Sequence, residues 1–271
     1  MLALASAANA AAQMRIVSLA PSVTETLFAL GAGPEVVGVS QYCDYPPQVR
    51  DLPRVGSFLT PNLEAIIALR PTLVVGLELS SDVREIRALN SMGYPVLLVS
   101  DDSLQQIETS IEKVGARIDR QADAHRLVAQ IQSQIAAVRN RLSDVKPLRA
   151  LMLVGHQPIV AVGPGTYLDE LMRIARADNI ADAVDQQWPH LSTEFIIAMR
   201  PEVVLDGAMG TDQSSSTSFW EKYPTIPAVR DHRVYGYAED PMLHAGPRVG
   251  QSLEIIARKI HPEAWQQGAD K

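Results

Sequence analysis

Cysteine is nearly absent: Cys43 is the one thiol in 271 residues, so no intrachain disulfide can form and no cysteine cage can hold a metal. Basic charge is in deficit. Lys and Arg number 24 against 31 Asp and Glu, a net charge of −7 at pH 7, which argues against the basic stripe that nucleic acid or an anionic membrane surface requires. No uncharged apolar run reaches the roughly 18 residues of a membrane span, so no direct membrane insertion is expected. Metal-protease, nucleophile-elbow, Walker and Rossmann glycine motifs are also missing, and Cys43 has no neighbouring His to activate it. A mononuclear metal-dependent hydrolase would have to be assembled from His156, His190, Asp240 and His244, whose spacings match no such site. Aromatic residues are scarce, 14 in all, so the place of each carries information.

What is present begins with an export-like segment. Residues 1–12, MLALASAANAAA, form an uncharged Leu/Ala stretch in which Ala8 and Ala10 flank Asn9 in the manner of a signal-peptidase site. It reads as the residue of a truncated signal peptide, with the mature fold starting near Gln13 and a periplasmic destination. Short apolar runs then alternate with helical patterns. Ile16 to Leu19, Val36 to Val39, Leu73 to Val75 and Val96 to Val99 predict strands, and Val23 to Leu30, Leu63 to Leu69 and Ser81 to Met92 predict the helices between them. That alternation is the mark of an α/β fold with parallel-rich sheets. From Asp119 to about Leu142 the pattern changes to one long helix with Leu127, Ile131, Ile135 and Val138 on one face. A second strand and helix series opens at Ala150 to Val154 and continues through Thr166 to Ala175, Thr193 to Met199, Val203 to Leu205 and Arg248 to Ile260. The expected organisation is an N-terminal α/β lobe over 13–118, a rigid linking helix over 119–146, and a C-terminal α/β lobe over 147–271.

The two lobes are related. NLEAIIALRPTLVVG (62–76) set over STEFIIAMRPEVVLD (192–206) gives seven identities in 15 positions at an offset of 130. Each copy reads as a short helix that ends before Arg-Pro, where proline cannot continue it, and feeds a buried strand.

These segments, with RIVSLAPSVTETLFALGAG (15–33), VGVSQYCDYPPQV (37–49) and GPR (246–248), resemble the helical-backbone class of periplasmic substrate-binding proteins, which serve ABC importers of cobalamin, haem and ferric siderophores. The resemblance spans nearly the whole mature chain. YCDYPP followed by NLEAIIALRPTLVVG is most similar to the cobalamin-binding branch. It implies two lobes with a ligand cleft between them, a corrinoid as cargo, no cofactor of the protein's own, no catalysis, and a transmembrane permease dimer as partner. Haem or a ferric siderophore is the alternative cargo.

A large flat metal chelate needs aromatic or apolar walls and a few polar groups at its rim. By resemblance Tyr42, Phe58 and Trp188 fall at ligand-contacting positions, Tyr45 lies in the loop of Tyr42, and Asp240 and His244 stand at the rim. Phe58 replaces the tryptophan that the class leads one to expect, and Val154 and Val160 stand where phenylalanines would be. Read without the resemblance, each loop aromatic can equally plug a sheet end, Asp240 beside Pro241 can form a turn, and Cys43 is a small inert side chain. His156, His190 and His244 lie in loops directed at the cleft, where an imidazole can ligate a metal or simply hydrogen-bond. His125, His232 and His261 lie in or beside polar stretches and are expected to face solvent. Glu64 and Glu194 both sit in the first turn of a helix, where a carboxylate also stabilises the macrodipole. The resemblance implies that they dock the lobes onto arginines of the permease.

Overall fold

The computed structural model describes residues 14–207, 213–237, 241–242 and 244–266. The expected export segment, residues 1–12, and Asp240 lie outside the described residues. The chain divides into two compact units, residues 1–100 and 101–271.

The first unit is built on four parallel strands in the order β2-β1-β3-β4: β1 (Ile16–Ser18), β2 (Val36–Val39), β3 (Leu73–Leu77) and β4 (Val96–Val99). Every residue of β1 and β3 is buried, which explains why β3 reads as an apolar run instead of an alternating one. Helices α1 (Pro21–Ala29), α2 (Leu63–Ala68) and α3 (Arg84–Ser91) lie between them in sequence. Proline at the first position of α1 costs no backbone bond, since that N–H would be unsatisfied anyway. The core gathers Val17, Leu19, Val55, Ile66, Val74, Ile86 and Leu89.

The second unit opens with two helices, α4 (Leu104–Arg117) and α5 (Gln121–Arg141). The long helix is thus present, but it is preceded by an amphipathic partner that the sequence reading passed over. Ile107, Ile111 and Val114 of α4 and Val128, Ile131, Ile135 and Val138 of α5 are buried, and α5 packs on α4, α6 (Tyr167–Ile174) and α10 (Val249–Ile260). At the turn between α4 and α5, a Cβ on Gly115 would stand 2.5 Å from that of Ala124. Both helices belong to the second unit, which begins at Asp101.

Five strands follow: β5 (Leu148–His156), β6 (Ile159–Ala161), β7 (Ala177–Asn179), β8 (Val203–Asp206) and β9 (Val234–Gly236), in the order β6-β5-β8-β9 with β7 also on β5. All pairings are parallel except β5 with β6, which two intervening residues force into a hairpin. The remaining helices are α7 (Thr193–Met199), α8 (Gln213–Trp220), α9 (Pro227–Arg230) and the terminal α11 (Glu263–Gln266).

The sequence repeat corresponds to a repeat in structure. Asn62 accepts the N–H of Ala65 at the start of α2, and Ser192 accepts that of Phe195 at the start of α7, a cap worth about 1 kcal/mol. Arg70 and Arg200 close the two helices with φ of 47° and 53°. Ile66 and Val74 are fully buried in the first core, and their counterparts Ile196 and Val204 are fully buried in the second. One histidine departs from expectation. His261 is buried, not solvent-facing: at the end of α10 its Nδ1 lies 2.9 Å from Glu263 Oε1 and its Nε2 3.2 Å from the Arg176 carbonyl.

Candidate ligand-binding site

Parallel strands bring the loops that follow them to one edge of a sheet, and in open α/β folds that carboxyl edge is where ligands bind. In the first unit the loop after β2 carries Tyr42 and Tyr45, whose residues are 56% and 43% exposed. Their rings are open to solvent, yet the backbone between them is anchored. Cys43 turns its buried thiol onto the hydroxyls of Thr24 and Ser40, at 3.1 and 3.3 Å, while burial pushes that thiol's pKa up.

The next segment, residues 57–60, is a tight turn in which Ser57 Oγ accepts the N–H groups of Leu59 and Thr60. Gly56 enters it with φ +87°, and a Cβ there would stand 2.4 Å from the Thr60 carbonyl, so only glycine fits. Phe58 is half-buried and Leu59 is exposed. After β3, Ser80 Oγ donates to the Phe58 carbonyl at 2.8 Å, which ties this turn to the segment bearing the exposed Leu79.

In the second unit the strand ends carry polar groups. His156 ends β5 and Asp206 ends β8. Asp206 is fully buried and accepts the indole N–H of Trp220 at 2.8 Å. His156 Nε2 stands within hydrogen-bond distance of both Asp206 oxygens; because a carboxylate accepts, Nε2 carries the donated proton. The imidazole also stacks on Phe219, with centroids 4.2 Å apart and planes 8° from parallel. Beyond β9, the buried Tyr237 donates to the Leu153 carbonyl at 2.8 Å. Burial first, then Tyr167 and Asp206, holds its phenol well above the usual range. Gly207 makes room for that ring, since a Cβ there would come within 1.8 Å of Tyr237 Cζ.

Trp188 is 42% exposed on a loop stitched to the β6 edge by bonds from Ala161 N to Pro189 O and from Gly163 N to Gln187 O. Val154 and Val160 are half-buried, His190 is exposed, and His244 is half-buried. Glu64 and Glu194 are exposed in the first turns of α2 and α7.

Each unit thus gathers its own share of the expected residues: Tyr42, Tyr45 and Phe58 in the first, His156, Trp188 and His244 in the second. Leu59, Leu79, Asp206, Phe219 and Trp220 were passed over in the sequence. One signal was available: in the aligned repeat Asp206 stands opposite Gly76, a carboxylate where the first copy has no side chain. No group of three or more His, Cys, Asp or Glu placed to hold a metal ion occurs among the described residues, and no described helix is long and apolar enough to cross a membrane.

Comparison with known proteins follows the same line. The family model described as "Periplasmic binding protein" matches residues 16–241. An uncharacterized ABC transporter substrate-binding lipoprotein, YvrC of Bacillus subtilis, is 30% identical over 262 residues, covering 93% of this chain and 82% of that one. The vitamin B12-binding protein of Pectobacterium atrosepticum is 27% identical over 251 residues, covering 91% and 88%. Among solved structures, the periplasmic heme-binding protein RhuT from Roseiflexus sp. RS-1, in apo form, superimposes with a TM-score of 0.83 at 31% identity, covering 93% of this chain and 99% of that one.

Proposed function

The chain belongs to the periplasmic binding protein family, and on that premise we propose that it captures a corrinoid in the periplasm and delivers it to the transmembrane permease dimer of an ABC importer. Members of this family bind and hand over a substrate; they are not enzymes and carry cargo instead of a cofactor. The observation that carries the corrinoid reading is the set of aromatic rings left exposed on anchored backbone, Tyr42 and Tyr45 in one unit and Trp188 in the other. Exposed aromatic rings held on fixed loops offer apolar faces that a ligand can cover, and a flat chelate with apolar faces is such a ligand. The vitamin B12-binding relative supports this choice of cargo.

Phe58 adds to the first wall, and His244 and Asp240 would serve the rim. Glu64 and Glu194 would meet cationic side chains of the permease, one for each of its subunits. Residues 1–12 would belong to a signal that exports the chain.

A second reading, haem as cargo, is favoured by His156. A neutral imidazole that gives Nε2–H to Asp206 has its lone pair on Nδ1, the arrangement by which a buried carboxylate orients a metal-ligating imidazole. The similarity to the heme-binding RhuT supports it too. Titration calorimetry and visible spectra of the purified protein against cyanocobalamin, cobinamide and haemin separate the readings. Stoichiometric binding of the two corrinoids with no haemin binding is expected; tight haemin binding alone would establish the second reading, and binding of none would remove both.

A further inference from the structure

We propose that Arg54 is a positioning residue for ligand capture, acting through the turn Ser40 to Cys43 of the loop that carries Tyr42. The inference rests on the reading of that loop as a ligand wall, and deepens it by naming what holds the wall in place.

Residues 53–56 return alongside β2. Val39 N bonds Pro53 O at 2.9 Å, Val55 N bonds Val39 O at 3.0 Å, and Gln41 N bonds Gly56 O at 2.7 Å. From this strip the Arg54 side chain reaches over the turn Ser40 to Cys43, itself closed by Cys43 N on Ser40 O at 3.2 Å. Its Nη1 donates to the Ser40 carbonyl at 3.0 Å and to the Cys43 carbonyl as well. One guanidinium nitrogen thus holds both ends of the turn in which Tyr42 sits. Below the turn, the Cys43 thiol meets Thr24, whose hydroxyl donates to Ser18 Oγ at the end of β1. The backbone of the turn is held by the sheet edge, by the thiol underneath and by the guanidinium, while Tyr42 itself stays exposed.

That division suits capture of a flat ligand. Every backbone freedom frozen before the ligand arrives is one that binding does not have to freeze. Charge-assisted bonds to two carbonyls are stronger than the neutral turn bond alone, and the guanidinium supplies two hydrogens from one planar nitrogen, which an ammonium does not reproduce in the same geometry.

The test is a double-mutant cycle on the full chain, read by calorimetry with cyanocobalamin and with haemin as probes, using whichever the wild type binds. Arg54→Met keeps the stem and removes the donors, and should weaken binding on the order of 10-fold, the scale of losing charged hydrogen bonds that fix one loop. Arg54→Lys should recover part of the loss. Arg54→Met combined with Tyr42→Ala should bind no more weakly than Tyr42→Ala alone, because the clamp acts only through the ring it positions. A stabilising role for the fold as a whole would give additive losses instead. Additive losses, or wild-type affinity in both Arg54 variants beside a weakened Tyr42→Ala, overturn the clamp alone. Binding by Tyr42→Ala equal to wild type, or failure of both probes to bind wild type, overturns the ligand-wall reading and the clamp with it.

Discussion

His156 Nε2 lies 2.7 Å from Oδ2 and 2.8 Å from Oδ1 of Asp206, a carboxylate with no exposed surface. The residues are 50 apart in sequence, and β5 pairs directly with β8, so the ends of adjacent parallel strands bring them together. The carboxylate decides which imidazole nitrogen holds the proton and, with Phe219 against the ring face, which way the ring points.

Asp206→Asn should therefore change more than stability. An amide keeps the volume but can turn a donor toward Nε2, which drives the imidazole proton to Nδ1. A loss of about 1–3 kcal/mol is expected for the compromised buried bonds, seen as a lower melting temperature. Nitrogen chemical shifts should report the change of tautomer in His156. An unchanged tautomer would mean that Asp206 does not set the ring.

Trp188 and Phe58 should behave differently on truncation because they differ in exposure. Trp188→Ala is expected to leave melting unchanged and weaken ligand binding by about 2 kcal/mol, roughly 30-fold, as a buried anchor in the complex would. Phe58→Ala should lower both melting temperature and affinity. Calorimetry and thermal denaturation on the two variants make the comparison; unchanged affinity in both would remove them from the ligand contacts.

For Glu194 the expectation concerns pH. Hydrogen bonds from its own backbone amide first, and from the Ser192 hydroxyl second, hold its carboxyl below the ordinary 4.5. An acid whose pKa is lowered by folding stabilises the fold above its unfolded value, and that contribution disappears as pH falls through the folded one. Ser192→Ala should accordingly raise the Glu194 midpoint toward 4.5, measured by carboxyl carbon shifts. It should also cost about 1 kcal/mol through loss of the cap on α7. A midpoint that stays put would exclude the hydroxyl as a cause.

Charge reversal tests docking. Glu64→Arg and Glu194→Arg are expected to keep ligand affinity and to reduce uptake into proteoliposomes holding the cognate permease, since each sets like charges together. The double reversal should fall below either single one, because two contacts that share one orientation also share an effective concentration. Full uptake by the double variant would leave these carboxylates with only the helix macrodipole to serve.

The strands of both sheets were legible where burial on two faces leaves an apolar run, as in Leu73–Val75 and Val203–Leu205, and the structure extends the two strands to Leu77 and Asp206. Helix α4 was passed over although Ile107, Ile111 and Val114 recur at the helical spacing of i, i+4 and i+7 with Glu108, Glu112 and Lys113 between them; that signal was present, and its buried face packs against α5. Tyr45 and Trp188 were legible as loop aromatics beside proline, and Tyr42 as an aromatic in the loop of Tyr45. Their neighbours Leu59 and Leu79 were not, since a lone leucine has no local mark that distinguishes core from surface. Nor could His156 be paired with Asp206 from sequence: the pair exists only through strand order, which no local spacing encodes.

The repeated helix and strand carry one further implication. Cap, closing arginine and the buried Ile and Val are alike in the two copies, while the last position of the segment is Gly76 in one and Asp206 in the other. The shared interior folds the same helix and strand twice, and the position that differs is tied to its own surroundings in each unit: a Cβ on Gly76 would meet Leu19 and Leu98 at 3.4 Å, while the buried Asp206 bonds Trp220 and His156. One segment thus serves two units with different chemistry at its end, and exchanging that residue would have to bring its local partners along.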